Sequence, residues 1–112
     1  MLKLKTKSEF LKVYNQGEKH FGYFQLIYFK KNNFKENRLG VVASKKTGNA
    51  VCRNKLKRLF RENFRKQDKN LKQGYDIIFI AKKNAGEQFK TLSLSMIEKD
   101  SMKIFKRAKI FL

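Results

Sequence analysis

Residues 44–65 read SKKTGNAVCRNKLKRLFRENFR, a basic loop that contains a glycine and runs into a predicted helix. A helix turns by about 100° per residue, and on that wheel one flank is strongly cationic. The flank comprises Arg53, Asn54, Lys57, Arg58, Arg61 and Arg65. An adjoining apolar arc comprises Cys52, Leu56, Leu59, Phe60 and Phe64. The pattern predicts a helix that packs on a core with one side and presents cations to a polyanion with the other.

The charge of this segment is too one-sided for an ordinary solvated helix. Such helices mix glutamate with lysine at i,i+4 spacing, whereas Glu62 is the only acid here. Over the whole chain, 28 Lys+Arg against 9 Asp+Glu give a net charge of +19. Polyphosphate is the commonest neutraliser of such charge, and an acidic membrane surface is the alternative. Because no apolar run approaches the roughly 18 residues of a membrane span and no signal-type segment begins the chain, we expect a soluble, cytoplasmic RNA-binding protein.

The length and composition predict one domain, residues 1–112. Hydrophobic residues make up 41% of the chain and include 11 Phe, which is ample for one modest core. The single cysteine, Cys52, cannot form an internal disulfide. With no second cysteine and no nearby histidine it does not form a metal site either, so we interpret it as a small core residue.

The segments that flank the basic helix predict an α+β sandwich with one sheet. A first helix is expected to begin with Ser8 as its cap and to end near Gly17. Aromatic and branched residues at 20–31 predict a strand with a turn or bulge near Gly22. Residues 38–44 predict a second strand, which would form a hairpin with the first across the asparagine-rich loop between them.

The second half of the chain predicts a helix, a strand and a further helix. Thr47, Gly48 and Asn49 supply a turn and a cap for the basic helix. The continuous apolar run YDIIFIA at residues 75–81 is typical of a strand buried on both faces. Residues from about 87 to 109 have helical spacing and predict a long amphipathic helix, although the TLSLS segment within them also alternates as a strand does.

The inventory of reactive residues favours binding over catalysis. A protein nuclease needs clustered carboxylates for metal ions or a histidine-based acid and base. Here His20 is alone, and Asp68, Asp76 and Asp100 are far apart in sequence. Arginine can hold a phosphate through two parallel N–H bonds, and aromatic rings beside a positive groove can stack on single-stranded bases. Candidates for stacking are Phe10, Tyr14 and Tyr28, for which plain core packing is the alternative.

Residues 38–62, RLGVVASKKTGNAVCRNKLKRLFRE, closely resemble the signature of the bacterial ribonuclease P protein component. The likeness keeps the SKK that ends a strand, the GNAV turn and the RNxxKRxxR helix in register. Flanking segments agree, with EFLKVYNQG before the signature and YDIIFIAKK after it. The resemblance therefore extends over nearly the whole chain.

The resemblance implies a small basic subunit that partners a catalytic RNA and helps it to remove the 5′ leader from precursor tRNA. The RNA would hold the active site with Mg²⁺, and the protein would have no metal or cofactor of its own. The implied fold has α-β-β-β-α-β-α order, as in a ribosomal protein domain, with a left-handed strand-helix-strand crossover that departs from the usual hand.

The resemblance also implies two groups of site residues. One group, which would bind the RNA subunit, consists of Ser44, Lys45, Lys46, Arg53, Asn54, Lys57, Arg58, Arg61 and Arg65. The other group, in a cleft beside the first helix that would hold the single-stranded leader, consists of Phe10, Tyr14, Tyr28 and Lys82.

Two positions depart from the family pattern. Lys55 stands where the family usually has arginine, at about 200° on the wheel and off the cationic flank. Asn84 stands where a proline often follows the last strand.

Two alternative functions remain. A structural, ribosomal-type RNA-binding protein would explain the charge but not an aromatic cleft. An autonomous nuclease is disfavoured by the carboxylate inventory.

Overall fold

The computed structural model describes residues 2–112, which form one mixed sheet with helices on both faces. Two short 3₁₀ turns, Lys45–Thr47 and Asp68–Asn70, precede and follow the long helix. The elements in chain order are β1 (Leu2–Lys3), α1 (Lys7–Gln16), β2 (Glu18–Phe21), β3 (Gln25–Lys31), β4 (Arg38–Val42), α2 (Ala50–Gln67), β5 (Tyr75–Ala81), α3 (Lys83–Glu87) and α4 (Leu94–Arg107).

The strand order is β1-β4-β5-β3-β2. Strands β4 and β5 are parallel neighbours joined through α2, whereas β5 with β3 and β3 with β2 are antiparallel. The predicted α+β class and its single sheet are confirmed. The order of the longer elements also agrees, with the two-residue β1 and the short α3 as additions that the sequence did not predict.

The predicted hairpin between the segments 20–31 and 38–44 is wrong. The hairpin is instead formed by β2 and β3, residues 18–31, which pair on either side of Gly22. Strand β5 inserts between β3 and β4, with Ile78 opposite both Tyr28 and Gly40. The most continuously apolar strand occupies the centre because only there are both its faces and both its edges covered.

Local capping accounts for the helix ends. Helix α1 begins earlier than predicted, because its cap is Thr6 and not Ser8. Thr6 forms a capping box with Glu9. Helix α2 begins after Asn49, as predicted, and the Asn49 side chain accepts a hydrogen bond from the Cys52 N–H. The last helix begins at Leu94 and not near residue 87, because the Ser93 hydroxyl caps it.

The two faces of the sheet pack differently. Ile77 and Phe79 of β5 face a large core made with α2 and α4, while Ile78 faces a smaller core made with α1. Alternate residues of a strand point to opposite faces, so α1 lies across the sheet from α2. The short α1 leaves Leu26 and Ile80 only half-buried. We call this partly open area of the sheet beside α1 the cleft. Among residues 2–112, no helix has the length and apolarity to cross a bilayer.

Candidate RNA interface

Helix α2 has the two sides that its sequence predicts. Its apolar arc is buried: Cys52, Leu56, Leu59, Phe60 and Phe64 all belong to the large core. Burial raises the pKa of the Cys52 thiol, which is in keeping with a core residue. The members of the cationic flank are half-buried or exposed. The flank is therefore the side of α2 that a partner can reach.

Most cations of this flank have no acid to neutralise them. Arg58 pairs with Glu62 at 3.0 Å, an exposed i,i+4 pair that contributes little to stability. Within the described residues 2–112, no carboxylate lies within 4.0 Å of four other flank cations, which are Arg53, Lys57, Arg61 and Arg65. Their charge remains available for phosphate.

Lys55 has a different environment from its neighbours on the helix. Its ammonium donates hydrogen bonds to the backbone carbonyls of Phe89 and Lys90, the second at 3.5 Å. The position off the flank that the wheel predicts is thus correct, and Lys55 ties α2 to the turn that follows α3.

The loop before α2 holds Ser44, Lys45 and Lys46 on the surface. Thr47 closes this 3₁₀ turn, since its N–H and hydroxyl both donate to the Ser44 carbonyl, at 3.0 and 2.6 Å. Gly86 of α3 packs directly on Thr47, and a Cβ at Gly86 would lie only 1.8 Å from the Thr47 carbonyl oxygen. Gly86 therefore positions the basic loop, a role that the sequence prediction missed because α3 was not predicted.

The three predicted stacking rings come together in the cleft on the other face of the sheet. The ring centroids of Tyr14 and Tyr28 are 5.1 Å apart, and those of Phe10 and Tyr14 are 6.3 Å apart. All three rings are half-buried against a core of Leu4, Val13 and Ile78. Burial, and to a lesser extent the nearby Tyr28, raises the pKa of Tyr14. The rings combine core packing with partial exposure, so neither of the two sequence interpretations excludes the other.

Gly40 makes room for the first of these rings. A Cβ at Gly40 would lie 2.7 Å from Cε1 and 2.8 Å from Cζ of Phe10. Phe10 also lines a groove of about 120 Å³ that it shares with Arg61 of α2. This groove runs beside β4, and its lining includes one residue of the cationic flank and one of the three rings.

The sequence and structure together now match a known family. A family model described as ribonuclease P matches residues 1–109. The chain belongs to the ribonuclease P protein family. The resemblance stated from residues 38–62 is thereby confirmed.

Relatives and solved structures agree over nearly the full length. The ribonuclease P protein component of Fusobacterium nucleatum is 48% identical over 107 residues, and the alignment covers 96% of each chain. That of Caldanaerobacter subterraneus is 44% identical over 97 residues, or 86% of this chain and 84% of the relative. The Staphylococcus aureus RNase P protein superposes with a TM-score of 0.86 at 32% identity, covering 100% of this chain and 99% of the other. The RNase P protein from Thermotoga maritima gives 0.86 at 31%, covering 96% and 97%.

Ribonuclease P proteins are the protein part of a ribonucleoprotein endoribonuclease and act with its RNA subunit. In this member of the family, the predicted RNA-subunit residues share one surface formed by the basic loop and α2. The predicted leader residues Phe10, Tyr14 and Tyr28 share another, on the opposite face of the sheet. One residue of each surface, Arg61 and Phe10, lines the groove beside β4.

Two lysines complete the description of the cleft in this ribonuclease P protein. Lys82 lies at the end of β5, and alternation places its side chain on the same face as Ile78 and Ile80. Its ammonium donates to the Gly22 carbonyl at 2.9 Å. Lys19 of β2 was not predicted, yet its ammonium lies 5.7 Å from the centroid of the Tyr28 ring. The alternation of β2 could have placed Lys19 beside the rings if the sequence prediction had recognised β2 and β3 as two strands.

The acidic residues and the histidine have structural partners. Asp76 accepts two hydrogen bonds from Arg38, and Asp100 accepts the backbone N–H groups of Tyr23 and Phe24. The His20 ring packs on Phe29 with centroids 5.7 Å apart. Within residues 2–112, no three His, Cys, Asp or Glu side chains group in a way that could hold a metal ion.

Proposed function

We propose that this chain, as a single RNA-binding domain of residues 1–112, docks on the RNA subunit of ribonuclease P with one surface and holds the 5′ leader of precursor tRNA with another. In this way it assists endonucleolytic removal of the leader to give mature tRNA 5′ ends. The separation of a cationic helix flank from an aromatic cleft, on opposite faces of one sheet, is the observation that carries the proposal.

The docking surface consists of the basic loop and the flank of α2. Arginine suits this role because its planar guanidinium grips a phosphate with two bonds, whereas lysine acts as a point charge. The loop lysines lie just before the start of α2, where backbone N–H groups also attract phosphate. The proposed contacts are Ser44, Lys45, Lys46, Arg53, Asn54, Lys57, Arg58, Arg61 and Arg65.

The leader site is the cleft beside α1. A single strand needs stacking surfaces and a positive edge, and these do not require a particular base sequence. Phe10, Tyr14 and Tyr28 supply rings that are only half-buried. Lys82 supplies charge at the rim, with N–H groups to spare beyond the one bound to Gly22.

We assign the chemistry of cleavage to the RNA subunit with Mg²⁺, so that the protein needs no cofactor of its own. The protein's contribution is to bind and orient: Asp76 and Asp100 are held in ion-pair and hydrogen-bond networks that build the sheet and its turns. A working place in the cytoplasm, where precursor tRNA is made, follows from this role.

Reconstitution tests the proposal. The protein is added to a bacterial ribonuclease P RNA, and leader removal from precursor tRNA is followed over a range of Mg²⁺ concentrations. We expect stimulation that is largest at low Mg²⁺ and no cleavage by the protein alone. Cleavage by the RNA that stays unchanged at every Mg²⁺ level would refute the role.

The leader site has its own readout. Leader-dependent affinity is the ratio of the holoenzyme's affinity for precursor tRNA to its affinity for the same tRNA without a leader. Tyr14→Ala and Tyr28→Ala should each lower this ratio about fivefold or more, since base–aromatic stacking is worth about 1–3 kcal/mol. Tyr28→Phe keeps the ring and serves as the matched control. An unchanged ratio in both alanine variants would leave only a general RNA-binding role.

A further inference from the structure

Strand β2 extends the aromatic cleft beyond Tyr28. Lys19 of β2 lies opposite Tyr28, and Phe21 lies opposite Leu26. Paired residues of antiparallel strands share a face, so both side chains lie on the cleft side of the sheet. The Lys19 ammonium is 4.9 Å from the centroid of the Phe21 ring and 5.7 Å from that of Tyr28. One cation therefore connects the two rings.

The Phe21 ring is available to a ligand. Its residue is 55% exposed. Single exposed hydrophobic residues are common on protein surfaces and need no function by themselves. Phe21 differs from such a residue because an ammonium lies over its ring and because it continues an aromatic cleft that already has two tyrosines.

The backbone around Phe21 is held in place from several sides. The Arg107 guanidinium donates to the Phe21 carbonyl, and the Lys82 ammonium donates to the next carbonyl, that of Gly22. The Asp100 carboxylate accepts the Tyr23 N–H at 2.7 Å. These contacts come from α4 and the end of β5. A ring on a backbone fixed in this way loses little conformational freedom when a ligand stacks on it.

The chemistry of this place fits one unit of a single-stranded nucleic acid. An exposed aromatic face takes a base, and an ammonium beside it takes a phosphate. A second copy of this chain could pair with the free edge of β2, but it would bring another net charge of +19 to the contact. Charge complementarity therefore favours an RNA strand over a protein.

We infer that Phe21 and Lys19 form a further nucleotide position at the end of the leader cleft, with a base on the Phe21 ring and the adjacent phosphate at Lys19. The inference rests on the proposed leader function and deepens it. It makes the bound leader longer than the Phe10, Tyr14 and Tyr28 rings alone would hold.

The test combines protein variants with abasic leaders in the reconstituted holoenzyme. Precursor tRNAs are made with a single abasic nucleotide moved stepwise along the leader. Phe21→Ala should lower leader-dependent affinity about fivefold or more, and Phe21→Tyr should preserve it. At one particular abasic position, Phe21→Ala should cause no further loss of affinity, because the base that stacks on the ring is already absent. The base and the ring would thereby behave as one interacting pair. Tyr28→Ala should couple to a different nucleotide. Lys19→Gln should lower leader-dependent affinity less than Phe21→Ala does. Its effect should shrink further at high salt, because salt screens the lysine charge.

Controls and outcomes separate this inference from the function on which it rests. Met102→Ala is the matched control, because Met102 is 44% exposed but belongs to α4, which packs on the opposite face of the sheet. A loss with Tyr28→Ala but none with Phe21→Ala would overturn the inference and leave the leader site intact. No loss with either variant would overturn both. A loss with Phe21→Ala that is equal at every abasic position, or that comes with a changed oligomeric state in sedimentation, would also overturn the nucleotide position.

Discussion

The Arg38 guanidinium lies 2.7 Å from the Glu9 carboxylate and so joins β4 to the first turn of α1. The same guanidinium binds Asp76 of β5 at 2.8 Å. One side chain thus ties the helix that forms one wall of the cleft to two central strands of the sheet. Hydrogen bonding to Asp76, above all, raises the pKa of Arg38, which stays charged. Arg38 therefore helps to hold α1 against the sheet beside the aromatic rings.

Acid should loosen α1. The pKa of Glu9 is lowered from 4.5 to about 2, first because the backbone N–H groups of Thr6 and Lys5 donate to its carboxylate and also because Arg38 lies beside it. A lowered pKa stabilises the fold at pH values above the pKa that Glu9 has in the unfolded chain. This stabilisation is lost as the pH falls from about 4.5 towards 2. Glu9→Gln should therefore be less stable at neutral pH and should lose less stability over that interval. Denaturant unfolding across this pH range measures both effects, with Glu87→Gln, an exposed glutamate of α3, as the control. Parallel curves for wild type and Glu9→Gln would contradict the assignment.

Arg61→Ala should weaken binding to the RNA subunit and flatten its salt dependence. Each phosphate that a cation neutralises releases counterions, so the loss of one contact lowers the slope of log K against log salt by about one unit. The matched control is Lys66→Ala on the same helix, because Lys66 already pairs with Glu98 at 2.8 Å and lies off the flank. Filter binding at several salt concentrations gives the slopes. Equal slopes for Arg61→Ala and wild type would place Arg61 outside the contact.

Lys55 and Lys57 should behave in opposite ways. Lys55→Ala removes hydrogen bonds to the carbonyls of Phe89 and Lys90, which should lower the free energy of unfolding by about 1 kcal/mol. It should leave the salt slope of RNA binding unchanged. Lys57→Ala should reduce that slope and leave stability nearly unchanged, since Lys57 has no ion pair within residues 2–112. Denaturant unfolding and salt titration of the two variants decide the point, and a reversed pattern would refute it.

Gly40→Ala should disturb the cleft. The added Cβ would lie 2.7 Å from the Phe10 ring and 3.2 Å from Leu4 Cδ1, so the ring must move. We expect a loss of about 1–3 kcal/mol in the free energy of unfolding, the usual cost of overpacking, together with lower leader-dependent affinity. Adding Phe10→Leu should recover part of the stability but not the affinity, because the smaller side chain fits and no longer stacks. Wild-type stability in Gly40→Ala would show that Phe10 is not seated as described.

Features set by neighbouring residues could be predicted from the sequence. The Asn49 cap, the two sides of α2 and the buried strand β5 all agree with prediction. Helical periodicity and capping depend on residues within a few positions of one another, so a short segment contains the necessary information. Where a segment fits two patterns the prediction was wrong: residues 87–93 were assigned to the last helix, but Ser93 starts it later.

Features set by distant residues could not be predicted in this way. The place of β5 between β3 and β4 depends on which strand most needs cover on all sides, and this is a comparison among the strands. The bonds of Lys55 to Phe89 and Lys90, and of Lys82 to Gly22, join residues tens of positions apart. A lysine in a basic sequence appears free for phosphate until the carbonyl that it binds is known.

The sequence by itself determined that this chain has a two-sided basic helix, a buried strand after it and the residue signature of the ribonuclease P protein family, because these are properties of contiguous residues. The tertiary structure alone decided that the cationic flank and the aromatic rings lie on opposite faces of one sheet. It also decided that Phe21 and Lys19 continue the row of rings and that Gly86 supports the basic loop. The physical reason is that side-chain alternation fixes the faces of a strand, whereas only long-range packing chooses which helix covers each face and how much of it stays open.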